Sequence, residues 1–392
     1  SAVFASVPII LMLPLAGALV DRWDRRRMMI YCNLIPAIST ASVVLLIIAG
    51  QLQVWHVYIS IIVLSIVGSF TGLAYSTTIT LLVPKRHYAR SSGMNQATQA
   101  AAQILPPMIA GAFLAVIQIS GVLLIDLATY LFAVSILLWV KIPRPAVTTF
   151  DKPADRPLLR EMAYGWRYIR TRPGLLALMF YFAAINFVVA LARILFFPMV
   201  LSMTTPQVLG TVLSVSGLGF LLGGITMGVW GGPKERVRGL LGFGLLFGLS
   251  VALTGLRPSI ILIAIAAFCM YACVPLINGC SQAIWLGKIP SDVQGRVFAT
   301  RWMVALSTSP IAYLLAGPLA DWCFEPLVKN NSGLQKIVGE GPGRGIGLIF
   351  IVAGILIIVV QFVGYLYPRL RHVEDELPDA IGATVASEGI TP

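Results

Sequence analysis

Charge is scarce in this sequence. Asp, Glu, Lys and Arg make up 11% of its 392 residues, where a soluble chain carries about a quarter. Histidine is scarcer still: His56, His87 and His372 stand apart, in turns or in the tail, at no spacing that a metal site or a catalytic triad uses. No Gly-x-x-x-x-Gly-Lys-Ser/Thr stretch occurs, which excludes ATP hydrolysis by a P-loop. The five cysteines form no disulfide framework. Three of them, Cys269, Cys273 and Cys280, share one helical stripe without a His or an acid beside them, so they read as small packing residues. These shortages leave enzyme chemistry without support, and neither a metal nor a cofactor is expected.

The chain has apolar length instead. Hydrophobic residues make up 58% of it and its mean hydropathy is +0.87. One buried core cannot absorb that much nonpolar surface, so lipid must solvate the rest. About eleven runs are long enough to cross a bilayer, which takes about 20 residues: 2–20, 28–49, 55–83, 92–117, 121–140, 174–202, 207–230, 238–256, 258–287, 295–322 and 344–367. The expected fold class is an all-α polytopic membrane protein.

The formal charge of +12 is not spread evenly. Basic residues gather in every second turn: Asp21–Arg27, Pro84–Arg90, the segment 141–173, Lys234 to Arg238, and Lys288 with Arg296 and Arg301. The turns near Gly50, Ser120 and Thr204 have none, and the one near Pro258 has only Arg257. That alternation is the positive-inside pattern, not a nucleic-acid surface. It sets the basic turns and the C-terminus in the cytoplasm and residue 1 outside.

The sequence also repeats itself. Pro84 and Pro290 stand 206 residues apart, as do Arg90 and Arg296, each pair in a basic turn. At an offset of 207, Gly17 and Asp21 fall on Gly224 and Gly228. Carried back from span 174–202, this repeat puts a first helix before residue 1, so the sequence reads as a fragment. The expected division is a bundle over 1–140, a linker over 141–173, a six-helix bundle over 174–368 and a disordered tail over 369–392. Within the linker, Leu159, Met162, Trp166 and Ile169 recur at helical spacing, which suits an amphipathic helix on the membrane surface.

The stretch Gly17-Ala18-Leu19-Val20-Asp21-Arg22-Trp23-Asp24-Arg25-Arg26-Arg27 packs two acids and four arginines into a turn between two spans. Gly-x-Leu-x-Asp-Arg-x-x-Arg-Arg resembles the signature between the second and third helices of the major facilitator superfamily of secondary transporters. One position departs, Asp24, where many members carry a glycine. The resemblance extends over nearly the whole chain. Leu82-Val83-Pro84, Gly93 and Gln96, Leu124-Ile125-Asp126, Gly295-Arg296-Val297-Phe298 and Ala316-Gly317-Pro318-Leu319-Ala320-Asp321 are similar to exporters of macrolides and of enterobactin. It implies two six-helix bundles related by a pseudo-twofold axis. It further implies a monomer of the bacterial inner membrane that exports an amphipathic small molecule by alternating access, with protons as the energy source. Uptake of a polar solute and a non-transporting scaffold or sensor remain as alternatives.

The same resemblance assigns roles. Gly17, Asp21, Arg22, Arg25 and Arg26 would form a cytoplasmic latch, with Asp21 stabilising the outward-facing state. A carboxylate favours the positive N-terminus of a helix, and the span opening at Gly295 and Arg296 is the candidate, with Arg296 or Arg90 adding a charge-assisted hydrogen bond. Because Gly228 replaces the acid in the second half, the latch is expected on one side only. Pro106-Pro107-Met108-Ile109-Ala110-Gly111 partly matches the Gly-Pro-x-x-Gly-Gly motif of antiporters. Pro107 and Gly111, with Pro310 in the second half, are therefore candidates for bending their helices.

Ionisable groups inside lipid are expensive, so each is a candidate for function. By the boundaries above, two lie well inside spans, Arg193 and Asp126. Asn186 and Arg193 share a helical face that would line a central cavity, Arg193 holding an anion or a substrate carbonyl; the bland reading is an arginine snorkelling to the interface. Asp126 is either a proton-coupling acid or a hydrogen-bonded helix-end residue. Gln96, Gln99 and Gln103 make a polar stripe facing the cavity, with Asn278 and Gln282 as a comparable stripe in the second half. The small-residue run Gly68-Ser69-Phe70-Thr71-Gly72 reads as a close helix contact.

Overall fold

In lipid every backbone polar group must be satisfied within the protein, which leaves helices as the spanning element for apolar runs of this length. The computed structural model describes residues 12–21, 23–139, 163–290, 292–341 and 343–376. Within these, the side chains of 25, 80–82, 85, 103–120, 206, 375 and 376 are not described. The first half comprises α1 (Met12–Asp21), α2 (Arg25–Ile48), α3 (Val54–Leu82) and α4 (Tyr88–Trp139). A short helix α5 (Tyr164–Arg170) leads into α6 (Pro173–Leu201), α7 (Pro206–Trp230), α8 (Arg236–Leu256), α9 (Ile260–Lys288), α10 (Gln294–Pro318), α11 (Ser332–Val338) and α12 (Arg344–Leu366). Among the described residues, nine helices are long and apolar enough to cross a membrane. Part of the expected run 2–20, and the side chains of much of 92–117, lie outside what is described.

Local chemistry sets the helix ends. The Asp24 carboxylate accepts the backbone N–H groups of Arg26 and Arg27 at 3.0 and 3.2 Å, so it starts α2 as an N-cap and explains the departure from glycine in the motif. Pro173 and Pro206 open α6 and α7, where a missing N–H costs nothing. Gly231 ends α7 at φ +79°, a left-handed conformation that favours glycine.

Near Ser120, where a turn between spans is expected, the chain stays helical, and Gly121–Trp139 is long and apolar enough to span by itself. Tyr88–Trp139 forms one helical stretch of 52 residues. A straight helix of that length would be about 78 Å long. Yet Gly93 packs on the backbone of Gly228, while the carbonyls of Leu137 and Leu138 receive Arg26, so both ends belong to the face carrying the basic turns. The stretch therefore doubles back, and its last part runs antiparallel to α2.

Two further expectations change. The stretch between the expected spans 295–322 and 344–367 is largely helical: α10 continues through a π-turn, Leu319–Phe324, to Lys329, and α11 follows. The tail is not solvated throughout, because Leu370 and Val373 are buried in the core. Glu374 fastens it there, accepting the N–H of Val237 at 3.0 Å and, through its carbonyl, the ammonium of Lys288. Residues 377–392 lie outside the described residues.

The halves meet through small residues at the basic face. On one side Gly17 of α1 faces Gly295 and Ala299 of α10 so closely that a Cβ on Gly17 would strike the Gly295 carbonyl. On the other, Gly224 and Gly228 of α7 meet Ala97, Gly93 and Met94 of α4. Gly93 and Ala299 are themselves 206 residues apart, so the two seams are related by the sequence repeat.

Candidate functional site

The first seam holds a charge cluster. Asp21 ends α1 and its carboxylate, 1% exposed, lies against the start of α10. Oδ1 accepts the Gly295 N–H at 2.7 Å, and Oδ2 accepts the Arg296 N–H at 2.9 Å and its Nε–H at 3.2 Å. A buried carboxylate thus receives two helix N-terminal donors and one guanidinium donor, the arrangement that a helix dipole and a charge-assisted bond both favour. At the second seam Gly228 stands where the repeat would place an acid, and Arg90 lies against Gly231 instead. The asymmetry expected from the sequence is present in the geometry.

Arg26 of the same turn separates from this cluster. Arg26 donates through Nε to the Leu137 carbonyl at 2.8 Å and through Nη2 to that of Leu138, satisfying the end of α4 within its own half. It is not part of the contact between halves. Arg22 lies outside the described residues, as does the side chain of Arg25.

The linker helix expected from the sequence sits on top of the cluster. Of the expected apolar positions, Ile169 of α5 is buried and Trp166 is exposed, and the helix docks on α10. Gly165 packs against the Arg296 carbonyl and the Thr300 hydroxyl, the Tyr164 ring lies 4.5 Å from the Arg296 guanidinium carbon, and Ile169 is fully buried. Leu159 and Met162 fall outside the described residues.

Between the halves lies a cavity of about 890 Å³. Gln96, Gln99, Asn278 and Gln282 line it, as the stripes imply, while the side chain of Gln103 is not described. Gly68, Ser69, Thr71 and Gly72 of the small-residue run line it too. A Cβ on Gly68 or on Gly72 would meet nothing within 4 Å, so these glycines leave space and do not bring helices together. Replacing Gly72 by Leu is expected to leave expression and thermal stability unchanged while excluding the bulkiest ligands. Equal binding of large and small ligands to wild type and variant would show that this wall is not part of the site.

Arg193 and Asn186 are not among the residues lining this cavity. Asn186 donates to the Phe182 carbonyl one turn back at 2.8 Å, and Arg193 is exposed and donates to the Tyr313 hydroxyl at 3.2 Å. Asp126 accepts a hydrogen bond from Thr40 at 3.2 Å, joining the end part of α4 to α2 one turn before Tyr130, which does line the cavity. Pro310 lies inside α10, whereas the side chains of Pro107 and Gly111 are not described. The charged residue that does reach the cavity is Arg301, 8% exposed and two turns into α10. Counting it with the basic turn hid it. The signal was its place five residues beyond Arg296, inside the run 295–322.

Comparison with known proteins agrees with this architecture. The model of the Major Facilitator Superfamily matches residues 1–322. Macrolide efflux protein A of Streptococcus pyogenes is 28% identical over 319 residues, 79% of this chain and 76% of that protein. Its namesake from Enterococcus faecalis is 29% identical over 309 residues, 76% of this chain and 93% of that one. The crystal structure of the human organic anion transporter MFSD10 superposes with a TM-score of 0.66 at 17% identity, covering 92% of this chain and 82% of that one, a likeness of fold. With its paired seams, its acid at the start of α10 and its central cavity, the chain belongs to the Major Facilitator Superfamily of transporters.

Proposed function

We propose that this transporter exports an amphipathic small molecule across the bacterial inner membrane by proton-coupled alternating access, as a monomer with its basic face in the cytoplasm. One observation carries the reading: the halves are joined at the basic face by the Asp21 cluster and the glycine seams while a large cavity stays between them. An exporter must offer its site to the outside in one state and to the cytoplasm in the other, and a dedicated lock at one end separates the two. The relatives named for macrolide efflux support the direction, and the clustering of basic residues supports the orientation. Latch residues Gly17, Asp21 and Arg296 govern access; Gln96, Gln99, Asn278 and Gln282 contact substrate. Asp126, bonded to Thr40, is the proposed proton carrier.

The test is dye and macrolide efflux from an efflux-deficient bacterium expressing the protein, with and without a protonophore. Export is expected to stop with the protonophore. In the Asp126→Asn variant, export is expected to lose that sensitivity together with at least tenfold of its rate, as general acid–base contributions of this kind predict. Protonophore-insensitive export would remove proton coupling, and wild-type behaviour of the variant would remove Asp126. No efflux of macrolides, dyes or siderophores would overturn the export reading.

A further inference from the structure

We propose that the cavity recognises the anionic head of its substrate, a carboxylate or an equivalent oxyanion, through Arg301. This rests on the transport reading above and names the substrate class of the same cavity.

Arg301 is the single charged side chain among the described residues that line the cavity. Its hydrogen-bond partners among the described residues are both neutral: Nη1 donates to Gln282 Oε1 at 3.1 Å and Nη2 to Ser281 Oγ at 2.9 Å. A guanidinium has five N–H donors, so these two bonds leave capacity along its edge. Aromatic rings cover its faces. The guanidinium carbon lies 4.9 Å from the Trp285 ring and 5.7 Å from those of Phe182 and Trp302. Rings on the faces and amide or hydroxyl oxygens on part of the edge leave the remaining edge as the route by which an oxygen pair can approach.

Arg296 shows what the same residue type looks like when the fold itself neutralises it. Only five positions earlier on α10, and as deeply buried, it is paired with Asp21. A cation withdrawn from water without a counter-charge costs several kcal/mol, and tying α9 to α10 through Gln282 and Ser281 would need only a neutral donor. The charge is accounted for if an anion arrives with the substrate. The rest of the wall suits an apolar tail, with Tyr75, Phe220, Trp302 and Leu306 facing the same space as the amides of Gln96 and Gln99.

The test uses three fluorescent ligands that share one tail and differ in the head: pyrenebutyrate, pyrenebutanol and pyrenebutylamine. Binding to the purified protein in lipid nanodiscs is read by energy transfer from tryptophan, with empty nanodiscs subtracting partition into lipid. A hydrogen bond to a charged group is stronger than one between neutral groups, so wild type is expected to bind the butyrate at least about tenfold more tightly than the alcohol, about 1.4 kcal/mol, and the amine most weakly. Arg301→Lys is expected to keep part of that preference and Arg301→Gln to abolish it. Equal or weaker binding of the butyrate by wild type, or a preference that survives in Arg301→Gln, overturns the proposal. The wild-type series stands even if the glutamine variant does not fold. Cellular export with no head-group preference would remove the anion site and leave the exporter reading, whereas preference without export would do the reverse.

Discussion

Asp21→Asn is expected to lower the initial rate of transport at least tenfold in proteoliposomes while leaving the protein folded. The amide is close to the carboxylate in size, so packing around Gly17 and Gly295 is preserved. What changes is chemistry. Oδ1 and Oδ2 together accept three N–H donors. Whichever way an amide is turned, its NH₂ faces at least one of them. Arg296 also loses the Asp21 charge, and breaking a buried pair outright costs on the order of 3–5 kcal/mol. Because the contact joins the halves, that loss falls on the equilibrium between closed and open basic face. A shift of about 2 kcal/mol already changes the ratio of the two states roughly thirtyfold. Thermal unfolding of the variant is expected to remain cooperative with a midpoint lowered by only a few degrees, and Asp21→Glu, which pushes a longer acid into a contact with no slack, is expected to fail as well. Wild-type transport in Asp21→Asn would take the cluster out of the gating mechanism.

Gly165→Leu is expected to have an effect of similar size from the other side of the same cluster. The contact it would break includes backbone on both sides: a Cβ at this position collides with the Arg296 carbonyl as well as with the Thr300 hydroxyl. A carbonyl inside a helix cannot move aside as a flexible side chain can, so α5 must lift from α10, at a cost of about 1–3 kcal/mol for overpacking. The Tyr164 ring would leave Arg296, and Ile169 would be exposed to water. Two readouts follow, a drop of about tenfold in transport and faster tryptic cleavage after Arg167 and Arg170, which docking of α5 protects. Unchanged cleavage together with unchanged transport would show that α5 only rests on the gate. Loss of transport with unchanged cleavage would mean that the glycine matters while the docking does not.

The contact of Asp21 with the start of α10 was legible in the sequence because its causes are local. A turn too short to form a domain carries an acid, and a buried acid seeks the start of a helix, of which the repeat offered one at Gly295. The amide stripes were legible for the same reason, since Gln96 and Gln99 are three apart on a helix otherwise made for lipid or protein. Arg301 was not legible, because a basic residue two turns past a basic turn looks like part of it until the start of α10 at Gln294 is known. Small residues mislead in another way. Gly17 and Gly72 have the same side chain, yet one lets two helices touch and the other leaves a wall open. Only the partner across the gap decides which. Helix α5 and the acidic start of the tail share a further difficulty. Their charges announce a surface, while the residues that anchor them are few: Gly165 and Ile169 in one, Leu370 and Val373 in the other.

The two seams of the basic face also differ in the reach of their forces. Where Gly93 meets Gly228, attraction is dispersion between atoms in contact, and it fades once they have parted by an ångström or so. Where Asp21 meets Arg296, attraction falls only as the inverse of distance, and in a region shielded from water it persists over several ångströms. In the proposed alternating access, the glycine seam would let go early and the ionic one would go on pulling until water fills the gap between the charges. The pair would then act less as a bolt than as a return spring, drawing the halves back into register from separations at which the glycines no longer sense each other.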